Sequence, residues 1–436
     1  MKRIVYCLTL IILLTFVNVP RVYAQPLDIS APNAILMDYS TGEIIYDHNS
    51  HVQAFPASTT KVLTALIALE TLDLNEVITV DYDSYVIGSS MYLMKGESFT
   101  AEELINALMI RSANDVAELL AIHISGSVEE FAKLMNQRAK ELGAQNSNFT
   151  NPHGLPDDNH ITTAYDLAII TKHALKIDKF REIMSTVNLQ FEPTEQTPET
   201  RYFRNSNKFL WGTGGSNQIL YNGRYVDIKY DIIDGVKTGY TPEARNCLIS
   251  SSIKDNHRLI SVVLGAGPGE VYLDSRKMID YGYENFKLVS LIDGNQAFTD
   301  VNIKSAKLNK ATLFPASDTF ALVPIDMDES LIKSKVDIKN NIKAPLKKGT
   351  VLGNVEFIYD SNVLASVGLI NVDVIQSRAL LFRIFTFGNL FKLIIILFVL
   401  WQSLVIYLRL SSKKIKKFGG RRYGSTSYKF SKGLFK

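Results

Sequence analysis

Hydrophobic positions change their period several times along this chain, and each change marks an element. Behind Lys2 and Arg3, residues 4–14 are dominated by Ile, Leu and Val, and Val22-Tyr23-Ala24 then offers small side chains where a signal peptidase reads them. This predicts a signal peptide over residues 1–24, removed before Gln25, because the apolar run is short for a membrane span. Residues 34–38 and 43–46 flank a Ser40-Thr41-Gly42 turn and predict a hairpin. At Pro56 the spacing becomes helical, with Val62, Leu63, Leu66, Ile67 and Leu69 on one face. A second helix opens at Phe99-Thr100-Ala101-Glu102-Glu103 and carries Leu104, Ile105, Leu108 and Met109. It runs to Arg111-Ser112-Ala113-Asn114-Asp115, after which Val116, Leu119 and Leu120 resume the period. Residues 128–142 predict an amphipathic helix ended by Gly143, residues 151–156 a loop, and residues 162–167 the next helix start.

Strand-like runs then dominate, at 234–239, 246–252 and 258–265, before a helix over 274–286. Hairpin, helical block, strands and closing helix make an α+β domain, with helices packed on a mostly antiparallel sheet. From 289 to 376 the texture changes to short alternating strands, such as 350–358, between Lys-, Asn- and Gly-rich turns. That predicts a small all-β domain, a spacer or partner surface and not a second active site. Residues 393–408 carry no charge and lie between Lys392 and Arg409; with the approach from 384 they are long enough for a transmembrane helix. The tail beyond holds Lys413, Lys414, Lys416, Lys417, Arg421 and Arg422, which the positive-inside rule keeps cytoplasmic. The expected order is signal peptide 1–24, α+β domain 25–287, all-β domain 288–377, transmembrane helix 385–410 and basic tail 411–436. The α+β domain then lies outside a cell membrane, and the chain meets the lipid through one C-terminal span.

Composition adds little to this. The formal net charge of +3 speaks for no nucleic-acid partner, and 46% apolar residues allow a sizeable core. Cys7 leaves with the signal, so Cys247 remains alone, without an intrachain disulfide, and reads as a small buried residue.

The candidate chemistry begins with Ser58 and Lys61, one helical turn apart at a helix start. A hydroxyl beside an amine able to lose its proton is the making of an acyl-transfer nucleophile. Ser-x-x-Lys also occurs at Ser251 and Ser411, so the pattern alone carries little weight. Its company gives it weight. Ser112-Ala113-Asn114 is the only Ser-x-Asn of the chain and Lys237-Thr238-Gly239 its only Lys-Thr-Gly, following Ser58 in that order. Read without Ser58, Ser112 and Asn114 would cap a helix, and Lys237-Thr238-Gly239 would be a strand end with a turn glycine. His153 and His160, with Asp157 and Asp158, suggest a metal site at first sight. Their loop setting, without a helical His pair, favours polar contacts that brace the loop, and neither a metal nor a cofactor is expected.

The ordered triple resembles the low-molecular-mass penicillin-binding proteins, the serine-type D-Ala-D-Ala carboxypeptidases of the peptidase S11 family. Residues 151–156 with 162–167, Asn205-Ser206-Asn207-Lys208, Lys237-Thr238-Gly239-Tyr240-Thr241, Asp280-Tyr281-Gly282-Tyr283 and the stretch 344–349 are similar to that family too. The resemblance implies a β-lactamase/transpeptidase-like catalytic fold and removal of D-alanine from peptidoglycan stem peptides, with covalent binding of β-lactams. It implies Ser58 as nucleophile, Lys61 as base, Ser112 as proton relay to the leaving amine, and Asn114 bonding both substrate amide and Lys61. Lys237 and Thr238 would meet the terminal carboxylate, and Gly239 would let the backbone approach the ligand. The backbone N–H groups of Ser58 and Tyr240 would form the oxyanion hole.

Two departures stand out. Ala244-Arg245-Asn246 replaces the family's usual Ala-Gly pair, and Gly269-Glu270-Val271-Tyr272-Leu273 lacks the arginine that members often carry there. Arg245 or Thr238 is expected to cover the carboxylate instead. A β-lactamase reading fares worse, since residues 151–156 stand where a glutamate-held water would be needed. A non-catalytic binding protein is disfavoured by the intact triple.

Overall fold

The computed structural model describes residues 27–378 and 387–416. The signal peptide expected over 1–24 and most of the basic tail lie outside the described residues. The described chain divides into two units. One runs to Ile292 and takes in Asp318–Lys335 and Glu356–Ser366; the other comprises Asp293–Ser317, Val336–Val355 and the chain from Val367.

The first unit begins with the expected hairpin, β1 (Asn33–Asp38) and β2 (Ile44–His48). A 3-10 turn, Ala57–Thr60, leads into α1 (Lys61–Thr71). A short strand pair, β3 (Val77–Thr79) and β4 (Ser98–Thr100), brackets an irregular strap and precedes α2 (Ala101–Ile110), α3 (Asn114–Ser125) and α4 (Val128–Leu142). Thr100 and Glu103 close a reciprocal capping box on α2, and Ser127 caps α4. Gly143 ends α4 in the left-handed conformation. α5 (Ala164–Ala174) starts at the Thr163 cap, followed by α6 (Asp178–Ser185) and two small hairpins, β5 (Asn188–Phe191) with β6 (Arg201–Arg204) and β7 (Gln218–Tyr221) with β8 (Arg224–Asp227). The long strands β9 (Ile233–Thr241), β10 (Arg245–Lys254) and β11 (His257–Ala266) come next, then α7 (Glu270–Asn285).

The main sheet runs β2-β1-β11-β10-β9, every described pairing antiparallel. Side chains alternate between two buried faces, which is why its central strands read as nearly continuous apolar runs. Ile35, Met37, Ile249, Ile260 and Val262 face the core shared with the helical block; Leu36, Leu248, Leu259 and Val263 join the core that includes Val271, Met278 and Ile279 of α7. Asp274 on α7 ties down the start of the described chain by accepting from Ser30 N, Ser30 Oγ and Ala31 N at 3.2, 2.9 and 2.9 Å. α7 begins four residues before the expected 274. Gly269, with φ at 80°, turns the chain straight into it without a capping side chain.

Beyond α7 the chain is nearly all β, as the alternation predicts. β12 (Phe286–Ile292) pairs antiparallel with β15 (Thr319–Pro324) in the first unit. In the second, β13 (Thr299–Asn302) pairs with β14 (Lys310–Pro315), and β14 with the end of β18 (Asn362–Asn371). β16 (Lys333–Ile338) and β17 (Val351–Tyr359) complete the strands, and α8 (Phe387–Lys416) follows. Within α8, Gly388–Ser411 is long and apolar enough to cross a membrane.

Candidate active site

Ser58 sits in the 3-10 turn ahead of α1. Thr59 and Thr60 tighten that turn by donating from Oγ1 to Pro56 O at 2.6 Å and Ala57 O at 2.9 Å. Ala57 takes φ of 48°, a conformation costly for a residue with a side chain. Gly154 holds the turn from outside: with φ at 85°, a Cβ there would stand 1.8 Å from Ala57 O. Only glycine fits that approach.

Lys61 is fully buried at the start of α1. Its Nζ lies 3.0 Å from Ser58 Oγ, 2.7 Å from Asn114 Oδ1 and 2.7 Å from His153 O. The amide of Asn114 is oriented by its own Nδ2, which donates to Ile87 O at 2.7 Å. Two of the three contacts of Lys61 are therefore acceptor-only oxygens. A neutral amine has two hydrogens for them and one lone pair left, which faces the Ser58 hydroxyl. Burial, with the neighbouring Lys237 charge adding to it, holds Lys61 well below the usual lysine range, while Asp115 works in the opposite sense. The site thus favours the proton-accepting form.

β9 is the end strand of the sheet, so its outer edge can receive an extended ligand. Gly239 passes against the serine turn: a Cβ there would stand 3.0 Å from Ser58 N and 3.1 Å from Pro56 O. Lys237 is 1% exposed, donates to Thr238 O at 3.2 Å, and burial pushes it down to about 7. The Thr238 and Ser206 hydroxyls share a 2.6 Å hydrogen bond, and Tyr240 is exposed. Ser112 holds the turn between α2 and α3 at φ of 63° and makes no side-chain hydrogen bond among the described residues. Neither Ser112 nor Asn114 caps α3, whose N-cap is Ala113. The structure joins Ser58, Lys61 and Asn114 directly and brings Lys237 and Gly239 to the same place. It sets Ser112 two residues before Asn114, while Arg245 lies at the far end of the β9–β10 connection, paired with Thr241.

Several supports have no sequence signature. Asp115 accepts from Ser90 Oγ, Met91 N and Leu93 N, holding the strap whose Ile87 carbonyl orients Asn114. Further along the strap, buried Glu97 pairs with Arg201 of β6 at 2.8 Å. Burial works against the Glu97 charge, yet hydrogen bonds from Thr194, Met94 N and Arg201 outweigh it and hold the carboxyl below its ordinary range. His160 lies 2.8 Å from Thr60 Oγ1, and its Nδ1 accepts from Thr150 N; burial takes it down to about 3. His153 Nδ1 accepts from Leu155 N. Both histidines brace the loop, and among the described residues no group of three His, Cys, Asp or Glu side chains is arranged to hold a metal. Cys247 is buried and free, with its thiol pushed up to about 12 by burial.

A sequence model described as D-alanyl-D-alanine carboxypeptidase matches residues 20–267, and one described as the C-terminal domain of penicillin-binding protein 5 matches residues 286–376. The chain belongs to the D-alanyl-D-alanine carboxypeptidase family. This carboxypeptidase is 34% identical over 380 residues to D-alanyl-D-alanine carboxypeptidase DacF of Bacillus subtilis, covering 84% of this chain and 92% of the relative. It is 29% identical over 357 residues to DacA of Haemophilus influenzae, covering 79% and 85%. Among solved structures it resembles penicillin-binding protein 5 from Haemophilus influenzae, with a TM-score of 0.65 and 28% identity over 81% of this chain and all of that one. The carboxypeptidase therefore has the expected fold: a penicillin-binding catalytic unit followed by a β domain. One apolar C-terminal helix is consistent with membrane anchoring.

Proposed function

We propose that this carboxypeptidase removes the terminal D-alanine from peptidoglycan stem peptides through an acyl-enzyme on Ser58. The observation that carries this reading is the buried amine of Lys61, 3.0 Å from Ser58 Oγ and otherwise spent on two carbonyl-type oxygens. Ser58 Oγ attacks the carbonyl carbon of the penultimate D-alanine while its proton passes to Lys61 Nζ. The C–N bond breaks and D-alanine leaves as the amine, its proton relayed through the Ser112 hydroxyl. Water then adds to the ester, releasing the shortened peptide and restoring Ser58. Lys237 and Thr238 hold the terminal carboxylate, with the peptide extended along Gly239 and Tyr240. The N–H groups of Ser58 and Tyr240 stabilise the oxyanion. A β-lactam acylates the same serine, its ring amide standing in for the peptide bond.

The apolar helix anchors the enzyme in a cell membrane, with the catalytic domain (25–287) and β domain (288–377) outside and the basic tail (411–436) in the cytoplasm. The deciding experiment incubates the enzyme with a diacyl tripeptide ending in D-Ala-D-Ala and measures free D-alanine. The expected result is release that Ser58→Ala lowers at least about a thousandfold. Release that survives Ser58→Ala, or none from the wild type, overturns the reading.

A further inference from the structure

Three connections of the second unit lie side by side where the chain leaves its strands. One joins β13 to β14, one joins β16 to β17, and the third is the chain after β18. Lys304 N donates to Ile342 O at 2.9 Å, and Ala344 N to Lys304 O at 3.0 Å. On the other flank Arg378 N donates to Ser305 O at 2.8 Å and Lys307 N to Gln376 O at 3.1 Å. Ile303, Ala306, Ile342 and Ala344 are buried beneath, and that inward set leaves Lys304, Lys307 and Lys343 exposed.

Residues 303–310, 341–349 and 372–378 together hold six lysines and one arginine against one carboxylate, Asp373. Where the cationic groups have described partners, those partners are neutral. Lys304 Nζ donates to Asn341 Oδ1 at 2.7 Å, Lys307 Nζ to Gln376 Oε1 at 3.1 Å, and Arg378 Nη2 to Asn309 Oδ1 at 3.0 Å. The positive charge is thus oriented by these contacts and not neutralised by them. Leu308 and Val374, 77% and 66% exposed, line one open groove with Lys307.

We propose that this basic face lies on the phosphate headgroups of an anionic bilayer, with Leu308 and Val374 dipping among them; this rests on the reading that α8 spans that bilayer. Two observations choose a lipid surface over a soluble acidic partner. The first is the tether. Only residues 379–386 separate Arg378 from Phe387, where α8 begins, so even a fully extended connection reaches about 30 Å. The face is thereby held beside the headgroups at an effective concentration that a free partner does not match. The second is the mixture of exposed lysines with two exposed aliphatic side chains, which suits a boundary between phosphate and acyl chain. Each cation at such a surface raises occupancy about fivefold. Exposed charges are screened within about 8 Å at physiological salt, so the contact depends on the tether. Cut from α8, the face does not keep the protein on a membrane.

The test uses the mature full-length protein carrying a fluorophore on Val374→Cys; native Cys247 is 1% exposed and stays unlabelled. It is reconstituted into vesicles of phosphatidylcholine, or of equal parts phosphatidylcholine and phosphatidylglycerol, that carry a headgroup quencher. Quenching is expected to be at least about threefold greater with phosphatidylglycerol. The difference should fade as salt approaches about 1 M, where screening acts within about 3 Å. Lys304→Glu, Lys307→Glu and Lys343→Glu together should abolish it, and arginine at the same three positions should restore it. Both triple variants should keep wild-type release of D-alanine from the soluble tripeptide. Equal quenching on the two membranes, no response to salt, or full contact in the glutamate variant overturns the proposal. So does a face that ignores the lipid yet binds soluble polyphosphate. Failure to float with phosphatidylcholine vesicles would sink the reading of α8 and this proposal with it, whereas floating without the lipid-dependent contact sinks the proposal alone.

Discussion

At the scale of single residues the site holds two buried lysines, to which the proposed mechanism gives opposite duties. In it Lys61 is neutral to take a proton, and its burial beside Lys237 depresses its pKa. Acylation by benzylpenicillin is therefore expected to persist far below the ordinary lysine pKa of 10.5 and to fall only as pH drops through the depressed value. A stopped-flow pH profile whose acid limb sat near 10.5 would refute this. In the same proposal Lys237 is charged to meet a carboxylate, yet burial takes it to about 7 in the free enzyme. Peptide binding to the Ser58→Ala variant should accordingly take up protons. Little uptake is expected below pH 7, where the ammonium already exists, and more as pH rises above it. Calorimetry in buffers of different ionisation enthalpy reads this directly. Sequence revealed these lysines because each belongs to a short contiguous motif. It did not reveal His153 O or Ile87 O, which fix Lys61 and Asn114 across 92 and 27 residues. A backbone carbonyl is common to every residue and leaves no mark in a motif. Ser206 could have been suspected, lying in Asn205-Ser206-Asn207-Lys208, but its bond to Thr238 is a tertiary contact.

At the scale of elements, helices with caps and strong periodicity were legible, and weak ones were not. Thr100, Ser127 and Gly143 announce their termini by local hydrogen bonding and backbone freedom. The hairpin β7–β8 carries a local signal in its two-residue Asn222-Gly223 turn, with both residues at positive φ. The hairpin β5–β6 and the strap before β4 have no comparable pattern, being held by distant partners. Glu97 and Arg201, 104 residues apart, are the clearest case. Arg201→Ala leaves a buried carboxylate unpaired and should cost about 3–5 kcal/mol in denaturant unfolding. It should also slow acylation, because the strap carrying the Ile87 carbonyl loses its anchor. Acylation at the wild-type rate in a folded variant would separate strap from site. Gly154→Ala is expected to be harsher, displacing the serine turn through Ala57 O. Thermal unfolding and penicillin labelling should both suffer, whereas at exposed Gly126 a Cβ meets no atom within 4 Å and adds only the strain of a φ of 82°.

At the scale of the molecule, the chain past residue 378 is expected to attach the enzyme to a bilayer without contributing to its chemistry. A protein ending at Arg378 should appear in the soluble fraction and release D-alanine from the tripeptide at the full-length rate. Continued sedimentation with membranes would refute the anchoring role of α8. The α+β plan was legible because antiparallel strands and amphipathic helices keep distinct periods. The order of strands within the sheet was not, since nothing local says which strand a given one will meet.

That order has a consequence for how the enzyme comes into being. β1 lies between β2 and β11, pairing Asn33 with Leu264, so an early segment must wait for one more than two hundred residues later. During synthesis the first hairpin leaves the ribosome with an open strand edge and no partner to occupy it. Such distant pairing folds slowly and exposes a sticky border meanwhile. Newborn chains interrupted before β11 are thus unable to assemble the cleft and present a surface suited to capture by chaperones.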